Sequence, residues 1–141
     1  MSIKSNFLLA MGLVLGTVPP LMAQKVHQIQ IDGDRTKGRY RFDPARVSVS
    51  PGDIIRFVAG GGAPHSVVFD STGLSAAQIQ ALNQAIPDRM SLLSGPLLTE
   101  EGQAFQIRVP GLPPGNYRFY CLPHRAYRSE GLLVVVKAGG G

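Results

Sequence analysis

Eight short runs of strand-forming residues, most of them closed by glycine or proline turn signals, constrain this chain more than any other feature. KVHQIQI (25–31) ends at DGDRTKG, RYRF (39–42) at Asp43-Pro44, and RVSVS (46–50) at Pro51-Gly52. DIIRFVA (53–59) stops at Gly60-Gly61-Gly62, and HSVVFD (65–70) follows. AFQIRV (104–109), NYRFYC (116–121) and GLLVVV (131–136) complete the set. Short alternating runs with this punctuation predict an all-β chain, folded as an antiparallel Greek-key β-sandwich or barrel. Val134, Val135 and Val136 read as strand in the packed interior between two sheets.

One segment departs from that pattern. LSAAQIQALNQAI (74–86) carries Ala, Leu and Ile at helical spacing and is closed by Pro87. Ser75 followed three residues later by Gln78 is a capping-box signature, so one short helix is expected near 76–86. PDRMSLLSGPLLTEEG (87–102) is then long for a structureless loop, and it is expected to pack against the sandwich or cover one end of it. The 71–103 insert has no role that the sequence assigns.

Residues 1–23 read as a signal peptide. Lys4 precedes an apolar run from Phe7 to Val18, Pro19-Pro20 break it, and Ala23 is a small residue before a cut. The run is short for a membrane span, which needs about 20 residues. Residues 24–141 then form one domain, expected to be a monomer that is periplasmic or otherwise exported, with no transmembrane span. Without Lys4 the mature chain carries a net charge of about +4, and most of its basic residues are arginine. No dense basic run or aromatic-basic interleaving points to nucleic acid.

The chain has a single cysteine, so an internal disulfide is excluded and the thiol needs another reason to exist. Strand alternation puts Tyr117, Phe119 and Cys121 on one apolar face, with Cys121 pointing inward at a strand end. Pro123 starts a turn that returns His124 toward the sulfur. His65 opens a distant strand, and Greek-key sandwiches bring such strand ends together. A thiolate with two imidazoles is the ligand set of a mononuclear blue-copper electron-transfer site. His27 has no partner motif and reads as a surface residue. Arg118, Arg125 and Arg128 flank the site loop, either as ordinary solvated charge or as a docking patch for an acidic redox partner.

VSVSPGDIIRF, APHSVVFD, PPGNYRFYCLPHRA and GLLVVV, in this order, resemble the successive segments of the cupredoxins, the small blue-copper proteins of the plastocyanin and pseudoazurin type. The two middle runs, APHSVVFD and PPGNYRFYCLPHRA, are similar to the segments carrying their first histidine and their Cys-x-x-His loop. The resemblance covers most of 40–137 and implies one copper, Cu(I) or Cu(II), on His65, Cys121 and His124. It also implies one-electron transfer with a redox protein partner, outside the cytoplasm and without enzyme activity. His124, on the loop, is the expected point of electron exchange.

The axial position departs from the family pattern. The methionine expected five residues after the second histidine is Ser129 here, and Tyr127 stands where another methionine often lies. Three arrangements are open: Ser129 too short, leaving three ligands or an added water; an oxygen from Glu130; or a backbone carbonyl such as that of Pro64. Met90, in the inserted loop, is the remaining thioether of the mature chain. Other functions fit parts of the pattern: a copper carrier or buffer, a cupredoxin fold kept as a binding module, a thiol enzyme using Cys121 and His124, and a copper oxidase with an open axial position, which would need a second redox centre that the sequence does not show.

Overall fold

The computed structural model describes Gly16 and residues 23–138. The expected signal peptide therefore lies outside the described residues apart from Gly16 and Ala23. Eight strands form among the described residues: β1 (Val26–Asp34), β2 (Arg39–Asp43), β3 (Arg46–Val49), β4 (Ile54–Ala59), β5 (Val68–Phe69), β6 (Ala104–Arg108), β7 (Gly115–Tyr120) and β8 (Glu130–Val135). One helix, α1 (Ala76–Ala85), follows β5, and a short 3-10 segment, Leu122–Tyr127, joins β7 to β8.

The strands make two four-stranded sheets, in the orders β2-β1-β4-β6 and β3-β8-β7-β5. This is the expected β-sandwich, with one difference in pairing. β1 runs parallel to β4 and β3 parallel to β8, while the other pairs are antiparallel. The cause is the route of the chain. β2 and β3 are consecutive but belong to different sheets, so the return to the first sheet brings β4 beside β1 in the same direction.

Alternation along the strands builds the core. Ile29 and Ile31 of β1, Ile55 and Phe57 of β4, Ile107 of β6, Tyr117 and Phe119 of β7, and Leu133 and Val135 of β8 are all buried. Their neighbours Arg56, Gln106, Arg118 and Glu130 face solvent. Val134 points to the other face of β8 and is only half-buried, so the valine triplet is not interior throughout. Phe119 sits centrally, edge-on to Phe42 at 4.8 Å and to Phe57 at 5.5 Å between centroids. Such edge-to-face contacts are favoured beyond the area they bury.

The helix begins as its sequence predicts. The Gln78 N–H donates to Ser75 Oγ at 3.2 Å, and the Ser75 N–H donates to Gln78 Oε1 at 2.7 Å. Leu82 and Ile86 enter the core, and Gln78 Nε2 donates to the Tyr117 hydroxyl, which itself donates to the Pro113 carbonyl. The 87–102 connection does pack on the sandwich. Its Gly95 N–H donates to the Val67 carbonyl, and Leu93 O accepts from Phe69 N–H. The run expected as a strand over 65–70 is shorter than its sequence suggests, with β5 only at Val68–Phe69. His65 instead exchanges both backbone hydrogen bonds, at 2.8 Å each, with Leu98 of that connection.

His27 is also more than a surface residue. Its Nε2 lies 3.0 Å from Asp53 Oδ2, and Asp53 accepts from the backbone N–H groups of Lys25 and Ser50. Burial raises the Asp53 carboxyl, but the Ser50 and His27 hydrogen bonds, with that from Lys25, outweigh it and hold it below the usual range. This cluster ties the start of β1 to the turn that launches β4.

Candidate metal centre

β7 delivers Cys121 to the interior. Tyr117 and Phe119 face the core ahead of it, and Cys121 itself has no exposed surface. Pro123 then fixes the first turn of the 3-10 segment, and His124 donates its backbone N–H to the Cys121 carbonyl at 3.2 Å. This turn folds the His124 side chain back, so that its Nδ1 lies 3.5 Å from Cys121 Sγ. Arg128, left-handed at φ 57°, closes the segment, and the Cys121 N–H donates to the Ser129 carbonyl at 3.0 Å.

His65 arrives from the other side of the sequence, 56 residues before Cys121, held by its backbone bonds to Leu98. Its Nδ1 lies 4.0 Å from Cys121 Sγ. Its Nε2 lies 2.8 Å from the Gly61 carbonyl, which can only accept, so Nε2 carries the proton and Nδ1 keeps its lone pair. One donor atom from each of His65, Cys121 and His124 lies within 4.8 Å of the others, and all three residues are buried. The expected trio is therefore brought together, in an orientation that presents two imidazole nitrogens and one sulfur to a common point.

The surroundings suit a metal better than a nucleophile. Burial pushes the Cys121 thiol up, despite the Ser66 N–H that donates to Sγ at 3.4 Å. A thiol held protonated is inert until a metal displaces its proton. Burial also pushes the His124 imidazole down, aided by the unfavourable electrostatic influence of nearby His65 and Arg35 on a charged ring. The neutral ring is the form that offers a lone pair. Ser66 ties the two halves of the site together, because its hydroxyl accepts from the Leu122 N–H at 3.0 Å.

The axial candidates separate. Ser129 is buried, and its hydroxyl is the buried side-chain polar atom left without a hydrogen-bond partner among the described residues. Glu130 is exposed and lines a groove of about 330 Å³ with Arg118, Arg125 and Asp70. Met90 is 69% exposed and Pro64 is also on the surface. The site arginines are partly engaged: Arg125 lies 4.1 Å over the Tyr120 ring, and Asp70 faces both Arg118 and Arg125.

Sequence reasoning missed three residues around the trio. Gly61 and Ser66 adjoin His65, and their closeness to it was the available signal. Tyr40 gave none. It stacks on the His124 ring with centroids 3.6 Å apart and planes 11° from parallel, and His124 is only 7% exposed.

Two sheets closed on an aromatic core, with a buried His-Cys-His group at one end, define a small β-sandwich protein with a candidate mononuclear metal centre. The family of copper-binding proteins described as the plastocyanin/azurin family matches residues 28–136. The chain belongs to that family. It is 31% identical over 102 residues to a plastocyanin of the fern Dryopteris crassirhizoma, covering 70% of this chain and 90% of the relative. It is 27% identical over 124 residues to a plastocyanin of a Synechococcus strain, covering 88% and 83%. The solved oxidised form of the fern plastocyanin superimposes with a TM-score of 0.61, over 77% of this chain and 99% of that one. A pseudoazurin from Methylobacterium extorquens, at 24% identity and a TM-score of 0.53 over 79% and 75%, shares the fold. The resemblance on which the cupredoxin expectation rested is thus borne out, together with the copper it implied.

Proposed function

We propose that this chain carries single electrons between redox partners through one copper ion held by His65 Nδ1, Cys121 Sγ and His124 Nδ1. The observation that carries the reading is the convergence of these three donor atoms in a buried pocket. The donor set fits copper, because soft thiolate suits Cu(I) while imidazole suits both oxidation states. Bound there, copper would supply a one-electron couple. The Dryopteris plastocyanin has been solved in its oxidised form, and a mutant fern plastocyanin both oxidised and reduced, which supports the same cycle here.

The protein's own groups supply rigidity and orientation. The Gly61 carbonyl fixes the His65 tautomer, the Ser66 N–H points at the sulfur, and the backbone bonds of His65 and Cys121 anchor both ligand segments. Partners that orient a ligand through a second hydrogen bond are part of how a metal site is tuned. In the axial place we propose an oxygen rather than a thioether, supplied by the Ser129 hydroxyl or by a water it holds. Its support is the buried, unpartnered Oγ at the family's methionine position. The serine hydroxyl ends one atom short of a methionine sulfur, so any direct contact is long and weak.

The chain acts without enzyme activity of its own: Cys121 has no exposed surface from which to attack a substrate. It works as a monomer after export, with residues 1–23 removed, and its basic balance suits an acidic redox protein. No helix among the described residues is long and apolar enough to cross a membrane.

The test is spectroscopic. The purified protein is given Cu(II), and visible absorption and electron paramagnetic resonance spectra are recorded. The expected result is an intense sulfur-to-copper charge-transfer band that bleaches on reduction and returns on oxidation. A protein that binds copper weakly and without that band would overturn the reading.

A further inference from the structure

The β1–β2 hairpin reaches across the end of the sandwich and touches the site at several points. Arg35 donates a hydrogen bond to the Ala63 carbonyl, two residues before His65. Gly38, left-handed at φ 57°, faces the Tyr127 ring. Tyr40 lies flat on His124, with Tyr127 tilted against its ring at 4.8 Å. The hairpin turn is itself held: Asp34 accepts from the Thr36 and Lys37 N–H groups and from the Thr36 hydroxyl.

The flat stack requires an explanation. Two aromatic rings left to themselves prefer an offset or edge-to-face arrangement. Here the scaffold supplies the geometry. Gly33 pairs directly across the strands with Tyr40, and a Cβ on Gly33 would stand 2.5 Å from Tyr40 Cδ1 and 2.7 Å from Cε1. Glycine at that position is what lets the tyrosine ring fold over its own sheet toward His124. The imidazole is thereby bounded by Tyr40 on one face and by Cys121 Sγ at its Nδ1 edge.

We propose that Tyr40 is a positioning residue of the metal centre: its ring, seated over Gly33, fixes the plane of the His124 imidazole and shields it from solvent. The surface a partner meets there is then built from Tyr40 and Tyr127, the latter 54% exposed, in place of the histidine edge. The consequence for copper rests on the proposed function, but the shielding of His124 does not. Tyr40 acts by contact alone, so the aromatic ring is required and its hydroxyl is not.

The experiment compares the full wild-type chain with Tyr40→Phe, Tyr40→Ala and Gly33→Ala. In the copper-free proteins, carbethoxylation of His124 by diethyl pyrocarbonate is followed by peptide mass spectrometry. His124 in Tyr40→Ala is expected to react about tenfold faster than in wild type, as a residue that loses its local protection does. Tyr40→Phe should match wild type, and Gly33→Ala should move toward Tyr40→Ala. The copper-loaded proteins are then compared by electron paramagnetic resonance. Wild type and Tyr40→Phe should share one hyperfine pattern, with a shifted or broadened one in Tyr40→Ala. His124 reacting equally in wild type and Tyr40→Ala would overturn the proposal, as would Tyr40→Phe behaving like Tyr40→Ala. If Tyr40→Ala fails to fold, the Gly33→Ala rate decides in its place. A wild-type protein without the charge-transfer band would sink the copper reading instead, leaving the carbethoxylation result to decide the role of Tyr40.

Discussion

Single residues in this chain carry opposite obligations, and Ser129 and Asp53 show both. A buried hydroxyl with no partner is a desolvated group without compensation. Ser129→Ala should therefore leave the copper-free protein as stable as wild type or more so, by up to about 1 kcal/mol in urea unfolding. Ser129→Met should keep the copper spectrum intense while changing the balance of its bands. An unchanged spectrum would show that position 129 does not face the metal. Asp53 is the reverse case, fully satisfied by Lys25, Ser50 and His27. Its carboxyl titrates lower in the fold than in the open chain, so the charged form favours folding. That contribution is complete above the ordinary carboxylate range and disappears as acid titrates the folded group. Asp53→Asn should cost about 1.5–3 kcal/mol near neutral pH, the range for hydrogen bonds to a charged group. The gap to wild type should close in acid, which unfolding curves at several pH values would measure.

At the scale of elements, one device recurs in both sheets: an aromatic ring lies over a glycine directly across the strand pair. Tyr40 faces Gly33 in the first sheet and Phe119 faces Gly131 in the second. A Cβ on Gly131 would fall 2.2 Å from Phe119 Cζ, so Gly131→Ala must displace a central core ring. Overpacking of this kind typically costs about 1–3 kcal/mol, and a lowered thermal midpoint is the expected result. Ser75→Ala should cost about 1 kcal/mol through the lost helix cap, measured the same way. Most elements were legible because their signals are local: alternation gave seven strands to within a few residues, and Ser75 with Gln78 gave the helix start. What was not legible depends on distant partners. β5 is short because the backbone of His65 pairs with Leu98, and no local pattern announces that choice. The parallel pairs depend on which sheet β3 joins, a question of global route.

Seen whole, the molecule gathers its site from three parts of the chain: the segment after β4, the end of β7 and the loop before β8. The His65, Cys121 and His124 group was legible because its residue types are rare and their spacing is specific. The hairpin over it was not, since Tyr40 has no sequence relation to His124 and only the fold joins them. Copper should tie these parts together further. A metal that binds only the folded chain, at about 100 times its dissociation constant, adds about 2.7 kcal/mol. Thermal unfolding should therefore move upward with copper and return with a chelator, while Cys121→Ser should show little of the shift. The enclosure of the lone sulfur has a separate consequence, for the protein before it meets its metal. With no exposed surface on Cys121, a second copy cannot reach the thiol to form a bridge, and an oxidant has no direct path to it. Burial should thus keep the empty protein a chemically intact, uncross-linked chain until its metal arrives.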